Sequence, residues 1–381
     1  MKLRFTLMSL VCSAFSQQAS LALPTMIRLG YPTCSSCHIS PQGGGLLNLY
    51  GHSIDRAQSL FGGEYSPSQK RLIEFLNAEG RITQDYRIVL QQQDTSTTGK
   101  RGSQLFRSRF LYRNATELGK GFRFTGTIMG ENLSAPRPPV TYDPAANPAQ
   151  TFITTALLSY RAYRNVEAAG GRDMLPTGIN ISDLSTFIRS RNRLGYYDAP
   201  TQAKVFFWGK RYQVTPYAYA PGGNEKPGQH ESGAGGLAEF GLLPNNRTVV
   251  GVNALHGTAR NEDRTMIGPY ARLGFGRWGI LAEHDLTERT MKTGSPVSFW
   301  QSASYGQLFW AAREWLVPSF IVERLRVDRP HLEQLDAAKI ELSARVNGQL
   351  TISAGPRLQR DELTGRYAKS VVFQIAMKTV H

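Results

Sequence analysis

From Arg81 to Val380 apolar residues tend to recur at every second position, and this period limits the fold more than any other feature of the chain. Phe122, Phe124, Gly126, Ile128 and Gly130 share one parity, while Arg123, Thr125, Thr127, Met129 and Glu131 share the other. Successive side chains of a strand point to opposite faces, so such a segment has one oily and one mostly polar side. Ala338, Ile340, Leu342, Ala344 and Val346 alternate in the same way with Lys339, Glu341, Ser343, Arg345 and Asn347. Asn347-Gly348 then turns the chain into Leu350, Ile352 and Ala354, the clearest hairpin of the sequence. The last segment sets Tyr367, Val371, Phe373, Ile375 and Met377 against Val372, Gln374, Ala376 and Lys378.

About sixteen such segments follow Arg81, an even number, as closed bacterial outer-membrane barrels usually have. A soluble sandwich would also alternate. Three observations favour the barrel: an export leader at the start of the chain, aromatic clusters at Phe206, Phe207 and Trp208, at Phe299 and Trp300, and at Phe309 and Trp310, and no apolar run behind the leader long enough to span a bilayer as a helix. Full charges opposite the oily side, among them Arg107, Arg109, Arg113, Arg123, Lys339, Glu341 and Arg345, suit a wet lumen better than a packed interior. The expected fold is mainly β, a transmembrane antiparallel β-barrel of about 16 strands over residues 81–381, preceded by a small helical segment.

The leader decides which compartment the cysteines meet. Lys2 and Arg4 open it, Phe5 to Phe15 is mostly apolar, and Ser20, Leu21 and Ala22 close it, so residues 1–22 read as a secretory signal peptide cut after Ala22. Cleavage removes Cys12 and leaves the two cysteines of TCSSCHISPQGGG, residues 33–45. A zinc site needs further close ligands, and apart from His38 the nearest imidazole is His52. A thioredoxin-like pair needs a βαβ setting, which is missing here. Covalent haem remains, with Cys34 and Cys37 adding to the vinyl groups and His38 ligating the iron; a plain disulfide in an oxidising periplasm is the alternative.

Residues 23–80 are therefore expected to hold one covalently attached haem c. Gly43, Gly44 and Gly45 let the backbone turn tightly, Leu46 to Phe61 reads as a short helix, and Pro67 to Leu76 as a second. Candidates for the sixth iron ligand rank as His52, one short helix downstream of His38, then Met26 upstream, then Met174. An iron with no sixth side chain would be open to peroxidase-like or gas-binding chemistry.

Met174 lies in the one segment that breaks the pattern, Gly170 to Pro200, which has little sustained alternation and reads as a long outer loop or an infolded constriction. If extended, it would carry Arg189, Arg191 and Arg193 on one side, as a charged wall or a contact for haem propionates. A solvated loop balanced by Asp173, Asp183 and Asp198 is the alternative. Tyr219 to Gly236, rich in Gly and Pro, reads as a second, solvent-exposed loop. The net charge of +15, or +13 without Lys2 and Arg4, comes with no recognition helix or RNA-binding motif, so nucleic acid is set aside. Anionic lipopolysaccharide or an anion-preferring lumen accounts for the charge more economically.

Ala22, Leu23, Pro24, Arg28, the run Cys34-Ser35-Ser36-Cys37-His38, Pro41, Tyr50 and Gly51, ahead of a barrel-like remainder, resemble the outer-membrane porin-cytochrome c fusions, some of which are regarded as iron oxidases. The triple glycine and Met26, where an aromatic is common, depart from that pattern. The resemblance implies a small haem domain joined to a porin and carrying electrons across the outer membrane, an electron-transfer protein more than a substrate-turning enzyme. Implied partners are a periplasmic electron-carrier protein, an extracellular redox partner and outer-membrane lipid. A porin with a structural or sensory haem, and an open-haem enzyme, are the other readings. The tether between His38 and the first strand is short, which places the haem at the periplasmic side of the barrel or within it.

Overall fold

A computed structural model of the chain describes residues 24–62, 66–76, 81–97, 100–133, 149–181, 185–195, 198–222, 230–245 and 247–378. The signal peptide expected at residues 1–22 lies outside them, as does Asp183. Among the described residues two short 3₁₀ helices (Pro24–Leu29 and Cys34–Ser36) and two α-helices, α1 (Leu49–Ala57) and α2 (Pro67–Leu76), precede the strands. Sixteen strands follow: β1 (Ile82–Thr97), β2 (Lys100–Gly119), β3 (Phe122–Leu133), β4 (Ala149–Tyr163), β5 (Val166–Arg172), β6 (Thr201–Trp208), β7 (Tyr212–Ala220) and β8 (Ser232–Gly241). Then come β9 (Thr248–Thr258), β10 (Glu262–Phe275), β11 (Trp278–Met291), β12 (Val297–Trp310), β13 (Leu316–Val327), β14 (Glu333–Asn347), β15 (Leu350–Asp361) and β16 (Tyr367–Lys378). A helical turn, α3 (Phe187–Ser190), sits between β5 and β6.

Each strand pairs antiparallel with its sequence neighbours, and β1 pairs with β16, Leu90 opposite Ile375, so the sheet closes into a barrel without an edge. Closure gives every strand two partners for its backbone groups, which an open sheet in an apolar solvent could not do. Connections at one end are short, such as Gly276 and Arg277 between β10 and β11, whereas the other end carries longer ones, residues 173–200 among them.

The oily parity faces out. Ile340 is 58 % exposed while its neighbour Lys339 is 8 % exposed, and Phe122, Phe124 and Ile128 are exposed while Met129 is buried. An apolar exterior around a polar interior is the polarity of a barrel that sits in lipid. The aromatic clusters divide between the two sides: Phe299 and Phe309 are buried in the interior, whereas Trp300 and Trp310 look outward, because consecutive strand residues must diverge. Trp310 stacks on Trp278 across β11 and β12 at 5.6 Å, beside the short turns, as an interfacial girdle residue does.

Part of the lumen is occupied by the chain itself. Residues 24–61 and the described residues of 173–200 fold into it and share an apolar core with the inward faces of β10 to β14, including Ile27, Ile179, Phe187, Ile188, Leu281, Phe299 and Leu325. Burying each of these large side chains stabilises the assembly by about 1.5–3 kcal/mol. The described residues of 173–200 thus form an infolded constriction and not a solvated loop. Gly233, Gly235 and Gly236 belong to β8, so the loop expected from Tyr219 to Gly236 is shorter; a Cβ at Gly233 or Gly235 would meet the Tyr219 or Tyr217 ring packed on the strand.

Candidate functional site

The CxxCH run turns on itself: the amides of Cys37 and His38 both donate to the Cys34 carbonyl, at 3.2 and 3.0 Å. Asn48 joins this turn to α1. Its side chain accepts from the Gly51 amide at 2.8 Å, capping the helix, and donates to the Ser36 carbonyl at 3.2 Å. The helix therefore begins at Leu49 and not at Leu46, because Leu46 and Leu47 pair back onto Ile39 and His38. It ends at Ala57 because the amides of Leu60 and Phe61 leave the helix to bond Arg345 and Val346 carbonyls of β14.

Inward residues around the barrel hold this segment. Lys378 of β16 reaches Asp55 at 3.3 Å, Arg345 of β14 reaches Gln58 at 2.7 Å, Arg272 of β10 reaches the Pro32 carbonyl at 2.9 Å, and Lys204 of β6 reaches Gln42 at 2.8 Å. Arg28 pairs with Glu314 in the turn between β12 and β13. The charged residues expected to line a lumen do so: Arg113 pairs with Asp85, Arg123 with Glu167, and Arg107 and Arg109 with Glu131.

Between the segment and the wall lies a cavity with ≈ 920 Å³ of empty space, part of it open to solvent, lined by Cys34, Cys37, His38, Met26 and Met174, and on the barrel side by Glu239 and Arg272 among others. Cys34 and Cys37 are free thiols, and burial pushes the Cys34 thiol up to about 11, against the opposing pull of Arg272, and raises Cys37 as well. His38 is 8 % exposed, and burial lowers its imidazole to about 4, against the Gly44 and Leu46 carbonyls beside it. A neutral imidazole keeps a lone pair for a metal.

The donor set fits haem on two counts. His38 Nδ1 is buried without a hydrogen-bond partner, an arrangement that is costly unless another group completes it. At Gly43, where φ is +78°, a Cβ would fall 2.7 Å from Cys34 Sγ, so the backbone is shaped closely around the thiol. Of the three sixth-ligand candidates, Met26 and Met174 line the cavity; His52, half-buried on α1, is not among its lining residues. The Met174 carbonyl accepts from Gln42 at 3.1 Å and Gln202 at 3.0 Å, which ties the barrel loop to the CxxCH segment.

The three arginines of the infolded segment do not form one face, because α3 replaces an extended run. Arg189 donates to the Thr177 hydroxyl at 3.3 Å and to the Thr177 and Ile179 carbonyls, Arg191 pairs with Glu333 at 2.7 Å, and Arg193 pairs with Glu231 at 2.8 Å. Only Arg189 of the three lines the cavity. Asp173 balances Lys204 instead, at 2.7 Å. Sequence reasoning missed Glu239 and Arg272. Both sit at inward strand positions, which the alternation marks, but which strand faces the CxxCH segment is settled only by closure.

No protein-family model matches the chain, and no curated protein matches it. Solved structures do resemble its fold. A loop-deletion form of OmpT, an outer-membrane protein of Vibrio cholerae, covers 78 % of this chain and 99 % of its own at 10 % identity, with a TM-score of 0.56. An anion-selective porin from Comamonas acidovorans covers 78 % and 99 % at 9 % identity, TM-score 0.57. OprB of Pseudomonas putida at high pH covers 84 % and 98 % at 11 % identity, TM-score 0.59.

Proposed function

We propose that the chain is a one-haem cytochrome of the bacterial outer membrane, with the haem segment held inside a porin-like barrel, and that it passes electrons between the periplasm and the exterior. The observation that carries this reading is the luminal cavity, which gathers two thiols, a neutral imidazole and two thioethers against the barrel wall. Cys34 and Cys37 tether the haem through thioether bonds, and His38 ligates the iron. Met174, supplied by the barrel's own infolded segment, is the methionine that would serve as a further iron ligand, with Met26 as the other at hand. Bound haem supplies a one-electron couple.

In outer-membrane barrels the short turns face the periplasm. By that rule the haem segment stands at the periplasmic mouth, since it reaches Glu314 and the end of β14 beside short turns. A periplasmic electron-carrier protein would meet it there, an extracellular redox partner would meet the long-loop end, and outer-membrane lipid surrounds the exposed apolar belt.

A second reading, a channel whose haem is structural or sensory, is favoured by the likeness to porins, one of them anion-selective. The segments packed inside the barrel narrow the path for free diffusion of solutes and weigh against it. The test is expression with cytochrome c maturation machinery, a haem stain on denaturing gels, and electron transfer and conductance in vesicles. The proposal expects stained protein, weaker staining in C34A and C37A, and electron transfer that depends on haem. Unstained wild type overturns the haem reading; conductance equal with and without haem, and no electron transfer, favours the channel.

A further inference from the structure

Carboxylates along the lumen wall are matched with cations: Glu239 with Arg272 at 2.7 Å, Glu231 with Arg264 at 2.7 Å, Glu262 with Arg193 at 3.1 Å and Glu323 with Arg357 at 3.1 Å. Glu283 and Asp285 are held differently. They lie two residues apart on β11, so both face the lumen, 3 % and 0 % exposed. Glu283 accepts from the Ile179 amide at 2.7 Å through Oε2, while its Oε1 has no hydrogen-bond partner. Asp285 accepts from Asn192 at 2.7 Å through Oδ2, and the Asn253 amide, which donates to the Gly268 carbonyl, lies beside it, while no hydrogen bond reaches its Oδ1.

The guanidinium facing the pair, Arg189, directs its donors to the Thr177 hydroxyl and to the carbonyls of Thr177 and Ile179. Tyr270 of β10 also faces Glu283 but donates to Glu239 at 2.9 Å, Tyr305 of β12 donates to Gln307 at 2.7 Å, and Arg264 of β10 is paired with Glu231. Two carboxylates opposite one guanidinium leave a negative charge without a cation of its own in a buried wall, a state that one added proton relieves. Their bare oxygens have room for that proton.

The pair stands directly behind the haem cavity. Gly178, Ile179 and Arg189 line that cavity, and at Gly178, where φ is +50°, a Cβ would fall 1.7 Å from Glu283 Oε1. Only glycine lets the infolded backbone close over this carboxylate. On the long-loop side, Asn192 links Asp285 to Thr287 at 3.4 Å and to Gln301 at 2.6 Å, a polar string leading away from the cavity.

We propose that Glu283, supported by Asp285, is a redox-linked proton site: it takes up one proton as the haem iron gains one electron. The inference rests on the haem reading above. The balance is simple: the donor provides the electron, water reached through the lumen provides the proton, and the Glu283 carboxylate becomes a carboxylic acid. Oxidation returns both. The cavity region then keeps its charge through the cycle, which a buried site favours.

The test is a spectroelectrochemical titration of the full-length, haem-loaded protein in detergent from about pH 5 to about pH 9. The wild-type midpoint should fall as pH rises, by up to about 59 mV for each tenfold fall in proton activity if one proton accompanies one electron. E283Q should be flat and E283D should keep the slope. Redox-difference infrared spectra give a second measure: a protonated-carboxyl band that appears on reduction in wild type and is missing in E283Q. A pH-independent wild-type midpoint overturns the proposal and leaves the haem reading standing. A slope that persists in E283Q and D285N assigns the proton to another group, such as a haem propionate, and also overturns it. Absence of bound haem overturns the reading beneath it instead.

Discussion

Lys378 Nζ, at the end of the last strand, lies 3.3 Å from Asp55 Oδ2 on α1, a buried contact across 323 positions of sequence. It joins the two ends of the described chain: the strand that closes the barrel also grips the segment inside it. Breaking a buried pair by removing one partner strands a charge and costs about 3–5 kcal/mol, whereas replacing both partners with apolar residues is close to neutral. K378A should therefore loosen residues 24–61, and D55L/K378M should not. Limited proteolysis of the N-terminal segment and urea unfolding of the barrel read the difference.

Acid should weaken the long-loop end first. Glu231, just before β8, is buried, which raises its carboxyl, but Arg264 and Arg193 outweigh burial and hold it at about 2, against an ordinary 4.5. The folded value lies below the unfolded one, so the unfolded chain binds more protons between those values. The stabilisation is fully present above about pH 4.5 and is lost as pH falls towards about 2, a loss on the order of 3 kcal/mol. E231Q should already be less stable at neutral pH and should show a shallower decline in acid. Unfolding midpoints measured across that window check both.

The sequence makes the strands legible because alternation and turn chemistry act locally. The β14–β15 hairpin follows from Asn347-Gly348 and from the parity of Ile340 and Leu342, and it stands where expected. Alternation does not say which parity meets lipid, so Phe309 and Trp310 look alike in sequence though one packs inside and one outside. The helix start at Leu49 depends on Asn48 bonding back to Ser36, a contact that exists only once the CxxCH turn has formed. The arginines of residues 173–200 were legible as charges, but their separate partners are set by tertiary structure: Arg189 turns back onto Thr177 and Ile179, while Arg191 and Arg193 reach Glu333 and Glu231 far along the chain. The same holds for Glu283 and Asp285, whose unusual state appears only against the paired carboxylates around them.

Met174 ligation makes a spectroscopic prediction. Ferric haem with a thioether ligand shows a weak far-red charge-transfer band, which histidine ligation does not give. Met174 lines the cavity and is tied by its carbonyl to Gln42 and Gln202, while His52 is not among the lining residues. Wild type and H52A should show the band; M174A should lose it and bind carbon monoxide readily. A band that survives in M174A but disappears in M26A moves the ligand to the other methionine of the cavity.

The triple glycine supplies the sharpest local test. Gly43 and Gly45 both have positive φ, +78° and +61°, so alanine at either position carries a similar backbone strain, about 1–2 kcal/mol. Their surroundings differ. A Cβ at Gly43 would lie 2.7 Å from Cys34 Sγ and 2.8 Å from Cys34 Cβ, while at Gly45 it would meet nothing within 4 Å. G43A must therefore displace the Cys34 side chain as well as strain the turn, and G45A only strains it. Haem staining should fall well below wild type in G43A and only slightly in G45A, with the heat-dependent gel migration of the folded barrel unchanged in both. Equal losses would mean that the strain of the turn, and not its contact with the Cys34 thiol, governs attachment.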